Sequence, residues 1–199
     1  LSEDLRLPQL AYHAARAGMR EVAEEAYLAL ARGARTRHAY VDAERFYTLA
    51  LEQSESGERR REACRGRGLM RYRVGRYHDA LVDFAEARVA ASEAGDVLEV
   101  AAILLDEATA LDWMAEHVVS KAKVIEAKTI SEGRATPGLH ARILLGIGRS
   151  HFRFSCTEDA LVALKSAASE AGALGEDEYE THVIALLLQG AKQQRAARA

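Results

Sequence analysis

Ser150, His151 and Cys156 lie within one seven-residue stretch. A hydroxyl or thiol beside an imidazole is the pairing from which an activated nucleophile is built. The local pattern argues for a different role. His151 follows Gly148 by three residues, a packing position on a helix, so a half-buried structural histidine is expected rather than a general base. The seven histidines (13, 38, 78, 117, 140, 151 and 182) are scattered. None forms HExxH, and none pairs with a cysteine at zinc spacing, so neither a metal nor a cofactor is expected. Glu116-His117 and His78-Asp79 are sequence neighbours, which do not face each other on a helix. Gly66-x-Gly68 and Gly146-x-Gly148 lack the third glycine of a dinucleotide fingerprint, and no GxxxxGK[ST] occurs. No catalytic residue is assigned, and the chain is read as a non-enzyme.

The other chemistry-bearing feature is charge. Residues 59–76 hold eight arginines (59, 60, 61, 65, 67, 71, 73 and 76) and one acid, Glu62, for a local charge of +7. The chain as a whole is at −3, so the remainder is at −10. Tyr72 and Tyr77 would permit stacking on bases, but so acidic a remainder repels phosphates, and nucleic acid is not the expected partner. The acidic run from Gly175 to Glu180 is read as the start of a helix, where acids complement the dipole.

These residues must be carried by helices. Only Pro8 and Pro137 are prolines among 199 residues, and Ala, Leu, Glu and Arg dominate over β-branched types. With 49% apolar and 29% charged residues the chain has enough material for a folded core. No stretch approaches 18 apolar residues, so no membrane span is expected. Cys64 and Cys156 are 92 positions apart with no CxxC, which suits a reducing, cytoplasmic setting. The chain begins at Leu1, so a piece of a longer protein is expected.

Periodicity predicts ten helices, at about 5–17, 20–37, 40–55, 58–74, 77–94, 97–115, 118–132, 138–153, 157–171 and 177–195. Breakers separate them: Gly18-Met19, Ser54 to Gly57, the tight turn at Val74-Gly75-Arg76, Gly95, Gly133 to Gly138 and Gly172 to Glu176. Asp96 reads as an N-cap with Glu99 placed for a capping box. No strand alternation is sustained, and no composition shift marks a domain boundary.

Residues 68–87, GLMRYRVGRYHDALVDFAEA, interleave small residues with rings. Two antiparallel helices approach closely only where side chains are small, which Gly68, Ala80 and Ala87 supply, while the rings fill the gaps beside them. Gly68 followed by Ala80-x3-Phe84 recurs as Gly148 followed by Ala160-x3-Leu164, with Ala167. It recurs more weakly as Ala110, Ala122 and Glu126, and again at Ala11, Gly18, Ala23 and Tyr27 and at Ala43-x3-Tyr47. The equivalent alanines Ala80, Ala122 and Ala160 are then 42 and 38 apart.

On these residues the chain resembles tetratricopeptide-repeat proteins from 5 to 190, best at 58–94 and 138–172. The resemblance implies an all-α fold: a right-handed superhelix of stacked antiparallel helix pairs, with residues 1–199 forming one repeat domain. Residues 13–50, marked by His13, Ala17-Gly18, Ala31, Ala43-Glu44 and Tyr47, are similar to the segment that follows the ATPase module in bacterial regulators of the STAND class. That similarity implies an interaction or sensor arm of a signalling protein, with any ATPase or kinase lying elsewhere. It also implies a protein or small effector held on the concave face. In such an array the first helix of each pair lines that face. The candidate partner-binding residues are Arg65, Tyr72 and Arg73 from one repeat and Arg149, Phe152 and Arg153 from another. Arginines beside rings suit an acidic or carboxylate-bearing partner. The expected function is a non-catalytic protein-binding scaffold, the alternative is a small-effector-binding domain, and self-association stays open.

Overall fold

The computed structural model of the chain describes residues 3–55, 57–170 and 178–197. Among the described residues there are ten helices and no strand: α1 (Glu3–Arg16), α2 (Arg20–Thr36), α3 (Tyr40–Gln53), α4 (Glu58–Arg73), α5 (Tyr77–Glu93), α6 (Val97–Trp113), α7 (His117–Ile130), α8 (Pro137–Arg153), α9 (Thr157–Glu170) and α10 (Glu178–Ala196). The boundaries follow the sequence breakers closely. Asp96 caps α6 by accepting from the Glu99 amide at 3.0 Å, and Thr136 caps α8 by accepting from Leu139. The breaker expected at Gly172 to Glu176 lies outside the described residues. The acidic run from Gly175 to Glu180 begins there as well. Among the described residues no helix is long and apolar enough to cross a membrane.

The chain divides into two compact units, residues 1–95 and 96–199. Within the first, α2 pairs with α3 and α4 with α5, while α1 packs on α2 and α3 on α4. Within the second, α6 pairs with α7 and α8 with α9, and α10 packs on α9 and α8. Neighbouring helices therefore pack in sequence order in each unit, consistent with a helical solenoid. The first helices of successive pairs also touch: α2 with α4 in the first unit, α6 with α8 in the second.

The pairing rests on missing side chains. A Cβ on Gly68 would lie 2.7 Å from the Phe84 ring, and one on Gly148 would lie 2.6 Å from Leu164. A second layer does the same between neighbouring pairs, with Gly66 against Tyr47 and Gly146 against Val124. Ala80, Ala87, Ala160 and Ala167 are buried as the pattern required.

The third copy differs from its expected register. Ala122 and Glu126 are exposed. The buried small residue is Ser120, whose hydroxyl donates to the Ala108 carbonyl at 2.7 Å, and Val124 takes the place of the ring. The repeat then has one constant period: Gly68, Ala108 and Gly148 are 40 apart, as are Ala80, Ser120 and Ala160, and Phe84, Val124 and Leu164. A polar serine stands where alanine was expected because its hydroxyl finds a carbonyl in the facing helix, which removes the cost of burying it.

The turns inside the pairs share this period. At Gly75 the backbone has φ 83°, the Arg76 amide donates to the Arg71 carbonyl at 2.8 Å, and the Gly75 amide donates to that of Tyr72. This is a Schellman closure, which needs one left-handed residue. Ala115 (φ 63°) and Ser155 (φ 60°) fill the same place 40 and 80 residues on, and His38 (φ 58°) does so after α2. These side chains adopt a conformation that glycine takes at no steric cost.

Candidate interaction face

The arginine-rich helix α4 spends most of its charge inside its own unit. Asp83 on α5 is wholly buried and accepts hydrogen bonds from Arg67, through both Nε and Nη2, and one from Arg71. Arg71 also donates to Glu44 on α3 at 2.9 Å, Arg76 reaches the same carboxylate at 2.8 Å, and Arg76 closes on Asp79. The Arg76 hydrogen bond holds the Asp79 carboxyl below the usual range. Arg32 on α2 pairs with Glu62, Arg59 lies near Glu24 and Glu25, and Arg60 pairs with Glu86. Burial works against the charge of Glu86, yet the Arg60 bond still holds its carboxyl below the usual range. The +7 segment is thus a set of struts between helices rather than an open basic stripe.

The second unit uses the same device with other residues. Position 67 and position 83 become 107 and 123 one period on, and Glu107 there meets Lys123 at 2.7 Å, the polarity reversed. Between the first helices, Arg142 on α8 donates to the buried Asp106 on α6 at 2.7 Å. Arg149 donates to Thr109 and lies 3.8 Å from Asp112, and Arg153 donates to Asp112 at 3.0 Å. The His117 Nδ1 also sits 3.0 Å from Asp112.

Each candidate residue is therefore placed. Tyr72 and Phe152 are the penultimate residues of α4 and α8, and Arg73 and Arg153 the last, so those two pairs occupy equivalent positions. Arg73 stacks over the Tyr72 ring at 5.7 Å, and that ring meets Tyr77. Phe152 lies against Gly190 of α10, where a Cβ would be 3.1 Å away. Arg65 is half-buried, while its counterpart two periods on, Leu145, is buried. Arg65, Tyr72 and Arg73 belong to the first unit and Arg149, Phe152 and Arg153 to the second, and Arg149 and Arg153 share one buried carboxylate.

Two features were not read from the sequence. Trp113 holds the position of Arg73 and Arg153 in the intervening repeat and is 58% exposed. Phe154, the C-cap of α8, is also exposed and is covered on one face by Lys121, 5.3 Å from the ring centre. The Arg153–Asp112 pair sets these two helix ends side by side. The sequence signal was available, since Trp113 is the one tryptophan and sits where an amphipathic helix ends. The second feature is a cleft of about 420 Å³ between α7 and α8, lined by Lys121, Ile125, Lys128, Ser150 and His151 among others. The buried Ser150 Oγ in its wall has no hydrogen-bond partner.

No family model matches the chain, and no curated protein matches it. Among solved structures, the crystal structure of BtubC (BKLC) from P. vanneervenii is similar over 97% of this chain and 92% of that one, with a TM-score of 0.62 at 15% identity. At that identity the likeness establishes a shared helical fold and nothing about activity.

Proposed function

We propose that this chain is a non-catalytic interaction scaffold, the repeat arm of a signalling or regulatory protein, and that it binds a peptide segment of a protein partner. The observation that carries the reading is Trp113, largely exposed beside Arg153 at the adjoining ends of α6 and α8. Tryptophan and arginine at the centre of a surface are the residue types that dominate binding energy. Phe154, next in the chain to Arg153, is a second exposed ring, and Val118 near the start of α7 a further exposed apolar side chain. The expectation of an acidic partner is narrowed by the internal ion pairs. Arg149 and Arg153 serve a partner carboxylate only by sharing it with Asp112, so apolar anchoring outweighs charge on this face. Assignment to a tetratricopeptide-like or STAND-type parent rests on the sequence resemblance.

The test is selection of peptides from a displayed random library against the chain, followed by titration of the winners. Trp113→Ser combined with Phe154→Ser alters only exposed side chains and should weaken them at least tenfold. Selected peptides that bind this variant undiminished, or a library that yields no binder, would remove the reading.

A second reading, a small-effector domain, is favoured by the cleft beside Ser150, whose volume suits a ligand of modest size. Small-molecule binding that Ser150→Val abolishes and the Trp113–Phe154 variant leaves intact would favour it.

A further inference from the structure

His151, Cys156 and Asp159 each offer a donor atom, and these atoms lie within 4.8 Å of one another. They come from the end of α8, the turn and the first turn of α9. From this the geometry points to a binding site for a zinc-class divalent cation at the α8–α9 turn, with one imidazole, one thiolate and one carboxylate as ligands.

The backbone that carries the three is fixed. The Cys156 amide donates to the His151 carbonyl at 2.9 Å, and the Ala160 amide donates to the Cys156 carbonyl at 2.9 Å. Ser155 between them holds the left-handed conformation that closes the turn. The equivalent turn 80 residues earlier shows what these positions do. There they are Arg71, Arg76 and Asp79, and Arg76 bonds Asp79 at 2.7 Å while sharing Glu44 with Arg71. Side chains at these positions therefore converge. In the α8–α9 turn both arginines are replaced, and the cation they supplied is replaced by two groups that ligate one. His151 Nδ1 is 4.0 Å from the Asp159 carboxylate.

Tetrahedral zinc places its donors roughly 3.5 Å apart, with bonds of about 2.0–2.3 Å. The observed separations close to that through rotation of Cys156 and Asp159, both exposed side chains. The change releases only a long thiol contact from Cys156 to the Phe154 carbonyl, at 3.7 Å. Binding converts the thiol to a thiolate, with its proton released to solvent as the metal–sulfur bond forms. A mixed sulfur, nitrogen and oxygen set selects zinc over the hard cations magnesium and calcium. Three protein ligands leave one position for water or an incoming donor.

The spacing was invisible to motif rules because Cys156 and Asp159 are only three apart and His151 belongs to the preceding helix. The test uses cobalt(II) as a spectroscopic probe on the chelator-treated chain. One equivalent should produce sulfur-to-cobalt charge-transfer absorption that one equivalent of zinc removes. Cys156→Ser should abolish it, and His151→Ala or Asp159→Asn should weaken binding at least tenfold. Cys64→Ala should leave it unchanged, since Cys64 is buried. Absence of the absorption, its persistence in Cys156→Ser, undiminished binding in His151→Ala, or a stoichiometry of one metal per two chains would overturn the assignment.

Discussion

Gly66 lies directly under the ring of Tyr47, so close that a Cβ on the glycine would fall 2.4 Å from Cζ and 2.5 Å from Cε1. The ring is buried, and its displacement would open the contact between α3 and α4. Alanine at a mid-helix position recovers about 1 kcal/mol of helix propensity. Overpacking of a dense core costs about 1–3 kcal/mol. The clash meets three ring atoms at once, so the second effect wins.

Gly66→Ala is therefore expected to destabilise the chain by up to about 2 kcal/mol net. At Gly190 the contact with Phe152 is 3.1 Å and the ring is half-buried, so Gly190→Ala is expected to be near neutral. Urea unfolding of the two variants beside the parent checks both.

The buried strut between first and second helices should be exchangeable in polarity, because the protein already uses both polarities. Glu107→Arg or Lys123→Asp alone leaves like charges facing each other and should cost about 3 kcal/mol or more. The double variant recreates the Arg67–Asp83 arrangement one period on, and should recover most of the loss. A double-mutant cycle in urea measures the recovery, and strict additivity would disprove the equivalence of the two sites.

Ala115 pays for a left-handed conformation that its 40-residue counterpart Gly75 adopts freely. Ala115→Gly is expected to stabilise by about 1 kcal/mol, and Gly75→Ala to destabilise by a similar amount. Thermal melts of the pair should shift in opposite directions.

Cys64 is buried, and burial, with the Glu86 carboxylate beside it, pushes its thiol up to about 12. An unfolded chain ionises this thiol at about 8.5. The folded pKa is the higher, so the unfolded state loses its proton first as pH rises. The contribution is complete below about 8.5 and is lost progressively up to about 12. Cys64→Ala should flatten the alkaline decline of the melting temperature, and the native chain should alkylate rapidly at Cys156 alone, read by mass spectrometry.

Composition and period decided the helices. Ala, Leu, Glu and Arg with two prolines favour helix throughout, and each breaker among the described residues falls at a helix end because a helix end is a local event. The Gly68–Ala80–Phe84 pattern likewise carried the packing of a pair, since close approach needs small side chains wherever it occurs. The copy at Ser120 was misread because a serine that satisfies its hydroxyl across a helix pair is, in sequence, a polar residue like any other. Partnership between distant charges was hidden for the same reason. Eight arginines in 18 residues look like an exposed stripe until Asp83, Glu44, Glu24 and Glu86 are seen to meet five of them, and Asp112 was not legible as the shared partner of Arg149 and Arg153. Local backbone preference and apolar periodicity are properties of neighbouring residues and are written in order along the chain. Which acid compensates which arginine, and which histidine faces which cysteine across a turn, depends on distances between elements, and those exist only once the helices have packed.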